Sequence, residues 1–327
     1  MGILLDKAGP ATLCLIGGLL QSLGLLLIGM ARGDSDSSLD LFFVAFVLSG
    51  IGGTALMQQA LKLAFLLPSH FALIMSLTNC LVDSSSVVPL AFYRLYLMGF
   101  SRQVIFTTFA LLCLVSSLAL AWCWHGTRLL QAKSSSAPPR LQGLPFTKQL
   151  CSMEFLFALI FMTTMVFRMN AYLGVIKEVL EDLGDGLQQN WYTQALSMVL
   201  PTAIFFAPCF ELCLRRGGFA LTFLLVTLLG CTWNVVTLIP SLPWQLLGFV
   251  SFTHFRGLLF SSITTFVAHS FGESFGKVYS LLLCVTGCLS LAVWPAAELS
   301  KQWTGGLQAM NLFLLALCLS LGFRHAR

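Results

Sequence analysis

Long apolar runs separated by short polar breaks make up most of the chain. Ten such runs cover about residues 10–31, 41–63, 70–93, 104–124, 149–172, 190–212, 218–239, 243–266, 275–297 and 304–323. A helix needs about 20 apolar residues to cross the hydrocarbon core of a bilayer, and each run reaches that length. The pattern therefore predicts an all-α membrane protein of about ten transmembrane helices. The opening MGILLDKAGP has neither the basic region nor the small-residue cleavage site of a signal peptide, and reads as a loop before the first run.

The longest polar connection, HGTRLLQAKSSSAPPRLQGLPFTK at 125–148, is rich in Ser and Pro and reads as a flexible linker. It divides the chain into a four-helix part, 1–124, and a six-helix part, 149–327. With the linker on the cytoplasmic side, Lys7, Lys62, Arg128, Lys133, Arg140, Lys148, Arg215, Arg216, Lys277, Arg324 and Arg327 share that side. Arg32, Arg94, Arg102, Lys177 and Lys301 fall opposite. This asymmetry follows the positive-inside rule and puts both termini in the cytoplasm. The acidic stretches at 32–40 and 177–186 then lie outside.

Composition agrees with the pattern: 57% of the 327 residues are apolar and 9% charged, with a mean hydropathy of +0.87. Soluble domains carry about 25% charged residues, so a soluble enzyme, a nucleic-acid binder and a disordered chain are excluded. The eleven cysteines are scattered through apolar runs without CxxC or Cys/His spacing, so no metal is expected. No HExxH, phosphate-binding Gly loop or Gly-x-Ser-x-Gly elbow occurs, which argues against an intramembrane enzyme. No cofactor is expected either.

Residues 2–9 read G-x-x-x-D-K-x-G, with Asp6 and Lys7 directly before a spanning run. This resembles the cytoplasmic loop signature between the second and third helices of major facilitator transporters. There the resemblance implies that the acid–base pair clamps one access state. Three longer stretches are similar to solute carrier family 43: GIGGTALMQQALKLAFLLPSHFALIMSL (50–77), LTNCLVDSSSVVPLAFYRLY (77–96) and FRGLLFSSITTFVAHSFGESFGKVYSLL (255–282). Asn79, Asp83 to Ser86, Arg256 and Phe275-Gly276-Lys277 carry the resemblance most sharply. It implies a major facilitator-type bundle holding the equivalents of helices three to twelve. It also implies facilitative transport of large neutral amino acids, with nucleobases as second choice.

Two features depart from that pattern. The equivalents of the first two helices are missing. In the repeat of the loop signature, PCFELCLRRGG (208–218), Arg215 stands where an acid is expected, so a clamp there must be remade, with Glu211 as a nearby acid. If Met1 is the true start, the alternative is a non-transporting membrane protein that binds or regulates a full-length partner. Otherwise the partners expected are a small-molecule solute and the lipid bilayer, at the plasma membrane.

Charged residues inside apolar runs are the sharpest chemical candidates, because one costs about 2.5 kcal/mol or more at mid-bilayer and faces protein or water. Asp83 either lines the solute route or pairs with a cation in the first half. Ser84 and Ser85 beside it offer hydroxyls to a solute or to the helix backbone. Arg256 has no acid within a turn on its own helix, so it either holds a solute carboxylate or bridges to an acid elsewhere. Gln58, Gln59 and Asn79 are uncharged candidates for solute contacts, with helix-to-helix hydrogen bonding as the alternative for the two glutamines. Arg168, about 21 Å from Glu154 along one helix, lies near the predicted outer end, as a gate or an interfacial anchor. Trp122, Trp124, Trp191, Trp244 and Trp303 fit interfacial belts. His125, His254 and His269 read as packing residues, and Gly50, Gly52 and Gly53 as sites of close helix approach.

Overall fold

The computed structural model describes residues 1–31, 41–131, 141, 143–301 and the single positions 312 and 316. Nearly all of the tenth predicted run, the acidic stretch at 32–40, residues 132–140 and 142 of the linker, with Lys133 and Arg140, and Trp303, Arg324 and Arg327 lie outside the described residues. Among the described residues every regular element is a helix. Seven stretches are long and apolar enough to cross a membrane: Gly2–Met30, Leu41–Leu66, Pro68–Leu97, Arg102–Gly126, Met153–Asp182, Trp191–Thr237 and Leu242–Ala296. The last two, of 47 and 55 residues, each have room for two crossings at about 20 residues apiece. They are broken at Gly218, where φ is 63° and ψ −163°, and at the 3-10 turn Gly272–Ser274. Nine of the ten predicted runs thus fall on helices.

The helices are α1 (Gly2–Met30), α2 (Leu41–Leu61), α3 (Phe71–Ser84), α4 (Val87–Leu97), α5 (Arg102–Gln131), α6 (Phe146–Leu150), α7 (Met153–Asp182), α8 (Trp191–Val199), α9 (Ala207–Thr237), α10 (Leu242–Phe271), α11 (Phe275–Ser290) and α12 (Val293–Lys301). Several boundaries differ from the sequence expectation. Residues 2–8 are helical, not a loop. The turn is made at Gly9, whose φ of 85° suits a residue without Cβ, and Pro10 then opens the longer helix. The run predicted at 70–93 is two helices, parted at Ser85 and Ser86. Pro89 explains the break, since it has no N–H to donate to the carbonyl four residues back. Just before the break, the hydroxyls of Ser84 and Ser85 donate to the carbonyls of Cys80 (2.8 Å) and Val82 (2.6 Å). α5 runs past 124 to Gln131, and α7 past 172 to Asp182. The stretch 177–182 is therefore helical, with Lys177 and Glu181 paired at 3.6 Å one turn apart.

Packing divides these helices into two compact units. α1, α2, α4 and α5 belong to the first, and α3 joins α6 to α12 in the second. In the first unit, α1 lies against α2 and α5. At Gly52 two backbones approach closely: a Cβ there would meet the backbone of Gln21 and, at 2.8 Å, the Gly17 carbonyl. Such small residues let membrane helices touch through their backbones. In the second unit α10 is the core element, with 21 buried residues, packed on α7, α8, α9, α11 and the 3-10 turn Leu200–Phe206.

Candidate functional site

The polar face of α3 meets α10 within the second unit. Ser76, Asn79 and Asp83 are buried on α3 at spacings of three and four residues, so they line one face of the helix. Opposite them, the Ser261 hydroxyl donates to Ser76 Oγ at 3.1 Å, and Asn79 Nδ2 donates to Thr264 Oγ1 at 3.0 Å and to the Met75 carbonyl at 2.7 Å. One turn further along α3, Arg256 Nε donates to Asp83 Oδ1 at 2.7 Å. The two charges singled out from the sequence are therefore each other's partners, 173 positions apart. Asp83 takes its cation from the second half of the chain, not the first.

The pair is lopsided. Asp83 is shut in, with its side chain 3% exposed, whereas Arg256 is 23% exposed. Among the described residues, Asp83 Oδ2 and Asn79 Oδ1 are buried acceptors without a hydrogen-bond donor. The hydrogen bond of Arg256 is made through Nε, so the edge formed by its two terminal nitrogens is left over. Ser84 adds a long contact to the Pro201 carbonyl at 3.4 Å. Ser85 is exposed and turned onto its own helix backbone.

The other candidates sit elsewhere. In the first unit, Gln59 Oε1 accepts from the indole of Trp124 at 2.6 Å, which joins α2 to α5. Trp124 is 6% exposed and thus a core residue, not part of an interfacial belt; Trp122, Trp191 and Trp244 are exposed. Gln58 is buried beside it in sequence. Asp6 pairs with Lys62 at 3.5 Å, tying the first turns of α1 to the end of α2, while Lys7 is exposed. Arg215 pairs with Glu211 at 2.5 Å, one turn back on α9. Both members of this pair lie on the same helix. An open cavity of about 390 Å³, lined by Phe92, Tyr93, Tyr96, Arg102, Ile105 and Phe106, lies in the first unit and includes none of the predicted site residues.

Arg168 is the clearest correction. It is 2% exposed, so it is not an interfacial anchor. Its Nη2 donates to the Gly230 carbonyl at 2.9 Å and to Asn234 Oδ1 at 2.6 Å. The guanidinium also lies 5.5 Å from the Trp233 ring centre, within range of a cation–π attraction. It fastens α7 to α9 in the second unit. His254 is a packing residue, with its ring centre 3.6 Å from that of Phe206.

Sequence reasoning missed Ser76, Ser261 and Thr264, the neutral half of the α3–α10 seam. The available signal was the run of hydroxyl residues Ser261, Ser262, Thr264 and Thr265 shortly beyond Arg256 on α10. It also missed Asp185. This buried carboxylate accepts from the backbone N–H of Tyr192 (2.9 Å) and Thr193 (3.0 Å) and from the Thr193 hydroxyl (2.7 Å), capping the start of α8.

Comparison with known proteins agrees with this architecture. The human and mouse proteins called "Large neutral amino acids transporter small subunit 3" (Homo sapiens, Mus musculus) are each 24% identical over an alignment of 266 positions that covers 64% of this chain. "Protein FMP42" of Saccharomyces cerevisiae is 26% identical over 197 residues, or 58% of the chain. The aligned part spans 48%, 47% and 38% of those three proteins respectively, so the chain spans about half or less of the relatives it matches. The sequence pattern described as Major Facilitator Superfamily matches residues 1–295, nine-tenths of the chain. With that coverage, the all-helical architecture and the apolar spans, the chain belongs to the Major Facilitator Superfamily.

Proposed function

We propose that the protein is a facilitative carrier that moves a large neutral amino acid across its membrane by alternating access, without changing the solute chemically. The observation that carries the solute class is the lopsided Asp83–Arg256 pair. The carboxylate is enclosed and the guanidinium partly open, so an arriving solute meets a fixed cation first. Arginine presents paired N–H donors that match a carboxylate, which amino acids possess and neutral nucleobases lack. The names of the human and mouse relatives point the same way. Repeat-built carriers bind solutes between helices near the bilayer midplane, and Arg256 stands half-way along α10.

The second reading, a nucleobase, is favoured by Asp83 Oδ2, a buried acceptor without a donor among the described residues and suited to a ring N–H. Uptake of labelled leucine and labelled adenine by cells expressing the protein separates the two. Leucine uptake well above adenine uptake, with a KM raised about tenfold or more by Arg256→Lys, is expected. Adenine uptake that exceeds leucine uptake and is indifferent to Arg256→Lys contradicts the amino-acid assignment. The plasma membrane and cytoplasmic termini belong to the same proposal, supported by the bias of Lys and Arg.

A further inference from the structure

From the same seam we infer that the protein reads both charges of a zwitterion: Arg256 takes the solute carboxylate, while Asp83 Oδ2 and Asn79 Oδ1 take the α-ammonium. This rests on the carrier reading above and adds a specificity-determining pair of acceptors to it. Three observations meet here. Arg256 spends its Nε edge on Asp83, which leaves the two terminal nitrogens as a second edge able to hold a carboxylate bidentately. Asp83 Oδ2 is buried and has no donor among the described residues. Asn79 Oδ1, one helical turn away on the same face of α3, is in the same condition.

A buried acceptor left without a donor costs about 1–3 kcal/mol, so a ligand that supplies the donor is favoured there. Two of them one turn apart beside a partly open guanidinium suit a ligand that brings N–H donors. An α-ammonium brings three, on the carbon next to the carboxylate, so a solute held by Arg256 carries its donors within reach of α3.

Charge balance leads to the same solute. Asp83 and Arg256 together are neutral. A carboxylate arriving alone leaves one uncompensated negative charge inside a membrane protein, where the effective dielectric is low. An amine arriving alone leaves one positive charge. A zwitterion adds none, and its two charges face the two ends of the resident pair. The loaded seam therefore carries no net charge, and its movement through the membrane field does no electrical work.

The test uses the complete protein in proteoliposomes, following exchange of labelled leucine against unlabelled competitors. Leucine is compared with 4-methylpentanoate, which lacks the ammonium, and 3-methylbutylamine, which lacks the carboxylate. Each analogue is expected to compete at least about tenfold more weakly than leucine, a discrimination of about 1.4 kcal/mol. In Asp83→Asn, leucine is expected to lose most of its advantage over 4-methylpentanoate while the latter still competes. A structural defect would weaken both together. Exchange under potentials of either sign set with potassium and valinomycin is expected to differ less than twofold. Competition by 4-methylpentanoate equal to that by leucine in the wild-type protein overturns the inference, whether or not the variant folds. Leucine exchange that follows the imposed potential overturns it as well. Absence of any leucine exchange in the wild type removes the amino-acid carrier reading itself, a distinguishable result.

Discussion

Asp83 and Arg256 each need the other in the absence of solute, because a charge buried without its partner costs several kcal/mol while removing both is far milder. Arg256→Met is therefore expected to lower the stability of the detergent-solubilised protein by about 2–3 kcal/mol, read as a fall in the thermal midpoint. Asp83→Leu combined with Arg256→Met should recover much of that loss. A double variant as unstable as the sum of its parts would argue that the pair is not coupled. Trp124→Phe removes the indole N–H that reaches Gln59 together with part of the ring, so its cost includes lost packing. The hydrogen bond itself is the coupling between Trp124→Phe and Gln59→Leu in a thermal-shift double-mutant cycle, expected at about 0.6 kcal/mol; a coupling of zero would argue against the bond.

Asp83 and Arg256 were legible because charges in mid-run must be partnered. Which acid met which base was not, since the 173 positions between them are bridged only by packing. Arg168 and Trp124 differ from the sequence expectation for one shared reason. The apolar runs end at about 172 and 124, which puts both residues near an end, yet the helices continue to Asp182 and Gln131. Polar and charged residues carry a helix on beyond its apolar run, so both side chains lie about two turns or more inside their elements.

Among whole elements, the glycines of α2 separate close contact from mere composition. Gly52 touches the backbone of α1, whereas a Cβ on Gly50 would meet nothing within 4 Å. Gly52→Leu is expected to force α1 and α2 apart at a cost of about 3 kcal/mol and to reduce the monodisperse fraction on size-exclusion chromatography. Gly50→Leu should elute as the wild type does. Equal behaviour of the two variants would contradict the described α1–α2 packing. The start of α8 offers a second test. Asp185 caps its N–H groups from six or more residues upstream, and loss of a cap costs about 0.5–2 kcal/mol. Asp185→Ala should speed hydrogen exchange across 191–196 and leave exchange in α1 unchanged. The runs made the places of nine apolar spans legible, but the break at Ser85 and Ser86 was not, because apolar residues flank it on both sides and serine is common inside membrane helices.

For the whole molecule, family membership and the α3–α10 seam bear on one activity. The claim is that an amino acid crosses by exchange at a site built round Arg256. Counterflow tests it most directly: proteoliposomes loaded with millimolar unlabelled leucine and diluted into a trace of labelled leucine. A carrier working by facilitated alternating access is predicted to accumulate label transiently inside, with no ion gradient supplied. Arg256→Lys should reduce the overshoot, and labelled adenine should give none. No overshoot with leucine in the folded wild-type protein, or an overshoot with adenine alone, would contradict the account.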